Sequence, residues 1–311
     1  MNECISVVVP IFNEAKSLPK LIETLSLQSL LPKEVIFIDS GSNDDSVVII
    51  QEIASSNYFP FKLLVLINSG GLPGGNRNFG INAAKCNWVA FIDAGLVPEY
   101  NWLQSLWECA SLKKINAVFG QCRFDSDTAF GKAVCAISYG CGATHAVLPA
   151  SLFNRSIFDS VGLFPEKLRA AEDLVWLKSF ENSFGSRTIC NNALVHYRGF
   201  PQSFSQLINK YFVYELHTIR SGIITRNNLL LSTIILAATS LVIILFPINT
   251  LIALIIFILI RGLILPFNRS QRFLWWDKQP MAILFAIGAC AVRDMTKLLV
   301  RAGYMFKYFK I

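Results

Sequence analysis

Apolar and polar positions change rhythm once along the chain, near residue 228. Before that point short apolar runs alternate with amphipathic stretches. Ile5–Pro10 (ISVVVP) reads as a strand, and the segment from Ser17 to about Leu30 places Leu18, Leu21, Ile22 and Leu25 at helical spacing. Glu34–Asp39 (EVIFID) is a second strand, DSVVIIQEIA a helix with Asp45 near its start, and Phe61–Ile67 a third strand. After the glycine-rich SGGLPGGN a helix is expected to about Lys85, and Trp88–Asp93 (WVAFID) is the fourth strand. Continuously apolar strands alternating with helices predict an α/β fold: a mostly parallel sheet with helices on both faces.

Beyond residue 228 the rhythm is lost. Leu229–Phe246 carries no charge and is long enough to span a bilayer, and Ile248–Phe267 is interrupted only by Arg261, close enough to the end to snorkel. A third apolar run from Met281 is cut short by Arg293 and Asp294. Two spans leave the basic residues before Leu229, after Phe267 and in the tail on one side, with the uncharged PINT on the other, as the positive-inside tendency prefers. The expectation is a two-helix transmembrane hairpin followed by an interfacial, amphipathic, basic segment.

Composition agrees. The 311 residues are 53% hydrophobic and 16% charged, an apolar excess that points to lipid contact. The formal charge of +7 draws heavily on the C-terminal part, including Arg261, Arg269, Arg272, Lys278, Arg293 and Lys297. The soluble part shows no dense basic patch with interleaved aromatics, so a membrane surface is expected as partner and nucleic acid is not. The eight cysteines form no C-x-x-C pair and read as reduced, buried residues of a reducing compartment. No basic region precedes a long apolar stretch at the N-terminus, so no signal peptide is expected and the soluble part should stay cytoplasmic.

In a parallel sheet the carboxyl ends of the strands open on one edge, where ligands bind. Here that edge gathers Pro10 with Asn13 and Glu14, Asp39 with Ser42, the glycine-rich loop with Arg77, and Asp93. A G-x-G-x-x-G after the first strand would mark a dinucleotide oxidoreductase, but that position holds PIFNEA.

Together these stretches resemble the inverting family 2 glycosyltransferases of the GT-A, Rossmann-like fold. SVVVPIFNEA looks like the family's strand and P-x-[YF]-N-E loop, EVIFIDSGSNDDS like its D-x-G-S-x-D turn, and GGNRNFGINAAKCNWVAFIDAG like its R-N-x-G helix feeding a D-x-D strand. GLFPEKLRAAEDLVWLKSF is similar to the G-x-F acceptor loop and E-D pair. The resemblance implies a transferase domain over 1–220, with a nucleotide-binding half (1–95) and an acceptor-binding half (96–220), and a membrane region over 221–311. It implies a nucleotide-diphosphate-sugar donor held by Pro10, Asn13, Glu14, Asp39, Ser42, Arg77, Asn78 and Asp93. Asp173 would be the general base, with Glu172 positioning the acceptor or raising the base's pKa.

Each role has a plainer alternative. Asp39 is also a turn aspartate, Arg77 a surface ion pair, and Glu172 with Asp173 an acidic first turn of a helix. The chain departs from the pattern at Gly95, where the family commonly has aspartate. A divalent metal, Mg²⁺ or Mn²⁺, would then rest on Asp93 with His196 as a candidate second ligand; His145 and His217 have no such setting. The basic and aromatic stretch around Arg198, Lys210 and Arg220 would guide a lipid-linked acceptor, or is an ordinary connector helix. The resulting expectation is a multi-pass enzyme of the cytoplasmic membrane acting on a lipid-linked or nascent glycan in surface polysaccharide assembly. Transfer to polyprenyl phosphate and a non-catalytic scaffold are the alternatives, and two spans are too few for a polymer channel.

Overall fold

The computed structural model describes residues 4–55 and 59–308. They form two compact units, Met1–Arg123 with Thr144–Tyr197, and Phe124–Ala143 with Arg198–Ile311.

The first unit is built on β1 (Ile5–Ile11), β2 (Glu34–Asp39), β3 (Lys62–Ile67), β4 (Trp88–Phe91), β5 (Leu96–Pro98), β6 (Ala117–Phe124), β7 (Thr144–Asn154) and β8 (Ile189–Tyr197). They make one sheet in the order β3-β2-β1-β4-β7-β6-β8-β5. Helices α1 (Leu18–Ser26), α2 (Ser46–Ser55), α3 (Pro73–Ala83), α4 (Trp102–Lys113), α6 (Ser156–Val161) and α7 (Glu172–Phe184) belong to the same unit. The four N-terminal strands are parallel, with Val9 opposite Phe37 and Phe37 opposite Val65. Beyond β4 the pairings β4–β7, β6–β7 and β5–β8 are antiparallel, so the sheet is mixed. Leu18, Leu21, Ile22 and Leu25 are the buried face of α1.

Helix α3 begins inside the glycine-rich stretch expected to be a loop. Pro73 occupies the first turn, where its missing N–H costs nothing. A Cβ on Gly74 would lie 2.2 Å from the Pro165 carbonyl oxygen, and one on Gly80 would lie 2.3 Å from Val8 Cγ1. The glycines let α3 lie directly on β1 and under the 164–166 loop. An aromatic core fixes that loop from below: Phe164 meets Phe91 edge-on at 5.7 Å and stacks on Trp176 at 4.9 Å. Trp176 Nε1 donates to the Gly162 carbonyl at 2.8 Å.

The cysteine reading is corrected for one pair. Cys4 and Cys86 form a disulfide, with Cα atoms 5.1 Å apart, and the other six cysteines are free. Each lies just ahead of one of two adjacent parallel strands, β1 and β4, in which Ile5 stands opposite Trp88. Their separation of 82 residues conceals this proximity in the sequence. The cysteines therefore no longer argue for a reducing compartment.

The second unit contains α5 (Ala129–Ser138), α8 (Phe204–Arg220), α9 (Arg226–Leu245), α10 (Pro247–Arg269) and α11 (Ala282–Tyr308). Helices α9 and α10 are long and apolar enough to cross a membrane, and little of either is buried. Thr225 and Asn228 make a capping box for α9, and Pro247 starts α10. The segment from Met281 was expected to lie at an interface. It forms one helix of 27 residues, α11, which packs on α5, α8, α9 and α10. Asp294, read as a breaker of the apolar run, pairs with Arg293 at 2.7 Å and with Arg261 of α10.

Candidate active site

The loops after β1 and β2 are laced together by short polar side chains. Asp39, at the end of β2 and 1% exposed, accepts from the backbone N–H groups of Gly41 (2.8 Å) and Ser42 (3.0 Å) and from Ser42 Oγ (2.5 Å). Ser42 Oγ in turn accepts from the Asn13 N–H, while Asn13 Oδ1 accepts from the Asn43 N–H, both at 2.8 Å. Asn13 adopts a left-handed backbone, φ 56°, one that asparagine tolerates better than most residues. Ser46 Oγ accepts from the Glu14 N–H at 2.8 Å and donates to Asp44. Asp39 thus anchors its own turn, the plainer of its two readings, and Pro10, the penultimate residue of β1, stands opposite Ile38. Asn13, Glu14 and Ser42 are set around it.

Four charged groups meet where α3, β4 and α7 converge. Arg77 is 4% exposed; its Nη1 donates to Glu172 Oε1 at 2.6 Å and its Nη2 to Asp93 Oδ1 at 2.9 Å. It is a buried bridge and not the surface ion pair given as the alternative. Its Nε has no partner among the described residues. Burial pulls the Arg77 pKa down, but Asp93, Glu172 and Asp173 outweigh it and the guanidinium stays charged. Burial raises the Asp93 pKa, opposed by Arg77, although 45% of its side chain remains exposed. Asp173 is raised by burial first and by Glu172 next, against the pull of Arg77. Glu14 is raised too, chiefly by burial, and Asp93 contributes. Ala171, immediately before this pair, is held at φ 67°. A non-glycine residue in that region is strained, a condition that collects at functional sites.

Asn78 plays a supporting part: its amide accepts from the Phe164 N–H and donates to the Phe164 carbonyl, both at 2.9 Å, and also reaches Glu166. Sequence reasoning missed its neighbour Asn76, 1% exposed, which donates to Ser40 Oγ at 2.7 Å and accepts from Asn68 at 2.9 Å, tying α3 to the ends of β2 and β3. The motif letters R-N-x-G begin one residue too late to show it.

The donor set for a metal is thin. Among the described residues no group of three His, Cys, Asp or Glu side chains is placed to hold an ion. His196, on β8 opposite Val97, has Nε2 3.0 Å from Glu99 Oε1, a partner already taken. A Cβ on Gly95 would meet only Tyr197 Cε2, at 3.8 Å, so what is missing there is a ligand and not space. Asp93 alone suits a Mg²⁺ or Mn²⁺ that takes its other ligands from a bound diphosphate and water, and does not suit an ion held by the protein alone.

A sheet whose parallel half ends in this polar edge, with a carboxylate pair starting the helix beside it, has the architecture of the GT-A glycosyltransferases. The chain belongs to glycosyl transferase family 2, whose model matches residues 6–161. It is 25% identical over 219 residues to the glycosyltransferase AglE of Haloferax volcanii, covering 67% of this chain and 70% of that one. It is 31% identical over 120 residues to the glycosyltransferase GlyG of Streptococcus pneumoniae, covering 39% of each chain. A mannosyltransferase of Pyrobaculum calidifontis, solved with GDP-Man and Mn²⁺, shares the fold with a TM-score of 0.57 at 15% identity, over 91% of this chain and 85% of that one. Glu172 and Asp173 lie beyond the residues the family model matches, so their roles rest on the geometry above.

Proposed function

We propose that this chain moves a sugar, with inversion, from a nucleoside-diphosphate sugar to a lipid-linked or nascent glycan at the cytoplasmic face of a membrane. The observation that supports it is the meeting of Asp93, Arg77, Glu172 and Asp173 at one strand-end edge. Asp173 takes the proton of the acceptor hydroxyl as that oxygen attacks the anomeric carbon. The new bond forms on the face opposite the diphosphate, whose own bond to the sugar breaks and takes the electron pair with it, so the configuration inverts. Arg77, held between Asp93 and Glu172, places a fixed positive charge close to the leaving group. A divalent metal held by Asp93 and the donor diphosphate would neutralise charge on the departing nucleotide. Surface polysaccharide assembly fits the membrane helices, and the side assignment rests on the basic residues that flank them.

Polyprenyl phosphate as the acceptor is a second reading. It draws on 36% identity over 84 residues, 26% of this chain, to an undecaprenyl-phosphate 4-deoxy-4-formamido-L-arabinose transferase of Pseudomonas fluorescens.

Calorimetry of the detergent-purified chain with UDP, GDP and dTDP, each with Mg²⁺, with Mn²⁺ and with chelator, tests the donor site. One nucleotide is expected to bind with metal, and Asp93→Ala is expected to weaken that binding at least tenfold while leaving the metal-free affinity unchanged. Binding indifferent to both metal and Asp93 would remove the metal from the proposal. Failure of all three nucleotides to bind would favour a non-catalytic scaffold, with Gly95 as its sign.

A further inference from the structure

The second unit encloses a cavity of about 910 Å³ lined from all five of its helices. The lining divides into two chemistries. Ile235 and Leu236 of α9 and Leu254 and Phe257 of α10 form apolar walls continuous with the exposed faces of the two long helices. The rest carries six cations: Lys210 of α8, Arg261 and Arg269 of α10, and Arg293, Lys297 and Arg301 of α11. Asp294 is the one acid among the described lining residues.

Internal partners answer only part of this charge. Asp294 serves both Arg261 and Arg293, and Glu215 of α8 takes Arg301. Arg269 and Arg293 each donate to the Ile137 carbonyl near the end of α5, which supplies a partial negative charge. Lys297 lies over the Tyr211 ring at 5.4 Å and Lys210 over Phe200 at 5.6 Å. Burial lowers the pKa of both lysines. Among the described residues two carboxylates pair with these six cations, which leaves a surplus of positive charge beside apolar walls, where water screens it poorly. Guanidinium forks and ammonium groups at such a place are suited to phosphate oxygens.

We propose that the cavity binds the phosphate head of a membrane lipid, with its hydrocarbon chain along α9 and α10. The ligand class is a phosphate ester of a long-chain alcohol or glyceride. The inference rests on the membrane reading of the proposed function and is independent of the transfer chemistry in the first unit.

The test is direct binding to the full chain in detergent, by native mass spectrometry or fluorescence titration. The probes are undecaprenyl phosphate, phosphatidylglycerol, undecaprenol and inorganic phosphate. Wild type is compared with the double variant Lys210→Gln/Lys297→Gln, and with Lys278→Gln as a control outside the cavity. One of the two phosphate-bearing lipids is expected to bind, weakened roughly thirtyfold by the double variant and unchanged in the control. Preference for undecaprenyl phosphate identifies an isoprenoid ligand, and preference for phosphatidylglycerol a bulk lipid; both support the site. Equal binding of undecaprenol, binding of inorganic phosphate as tight as that of the lipids, indifference to the double variant, or no binding would each overturn it. UDP, GDP and dTDP titrated into the same sample separate the two ideas. A nucleotide bound without lipid sinks only the cavity, and lipid bound without nucleotide sinks only the transfer reading.

Discussion

Replacing Asp173 by asparagine lowers the rate of transfer about 10²–10⁴-fold, because the amide cannot take the acceptor's proton. The loss should fall on kcat, with the KM for donor little changed, since among the described residues Asp173 bonds only the N–H of Leu174 beside it (2.8 Å). The pH dependence carries a second signature. Burial and Glu172 raise the Asp173 pKa above its ordinary 3.8, so activity falls away on the acid side at a pH above that value. Stability runs the other way. A carboxyl raised in the folded state stabilises fully below 3.8 and loses that contribution as pH rises through its folded pKa. At neutral pH Asp173→Asn should therefore unfold no earlier than wild type and somewhat later, and the advantage should vanish in acid. Product formation and thermal unfolding across pH check both. A variant that folds normally and keeps more than a tenth of its activity ends the case for Asp173 as base.

Arg77→Met has the largest expected effect on stability, about 3–5 kcal/mol. The side chain of Glu172 is 7% exposed, so removing the arginine strands a buried carboxylate. Asp93, at 45%, turns to water at little cost. Adding Glu172→Gln to Arg77→Met should recover much of the loss, because the stranded charge disappears. Urea unfolding of the two variants decides it. Equal destabilisation in both would mean that packing against Phe164, and not charge, is what the site needs from Arg77.

The parallel half of the fold was legible because its strands are uniformly apolar and its helices periodic, as α1 shows with four buried leucine and isoleucine residues. The antiparallel half was not. β7 mixes buried and half-exposed positions and carries Pro149 within the strand, so neither a period of two nor a continuous apolar run marks it. At the site, the sequence brought Arg77, Asp93, Glu172 and Asp173 to notice, but not their pairing. The contact between Arg77 and Glu172 spans 95 residues and depends on α3 lying flat on β1. His196 shows what a sequence hides: the neighbouring loop delivers Glu99 to its Nε2, a partner that no spacing announces. In α11 the charges that broke the apolar pattern are paired inside the unit, which no local window reveals.

The Cys4–Cys86 bond turns β1, β2, β3 and the helices α1, α2 and α3 into a covalent ring. Oxidised and reduced preparations of this chain are then topologically different molecules. In the oxidised one a proteolytic cut in any loop between the two cysteines leaves a single nicked chain that migrates as one band until thiol is added; in the reduced one the same cut separates two fragments. Reducing conditions hold the ring open. Purification in air closes it, and the handling of the sample then fixes which molecule is assayed.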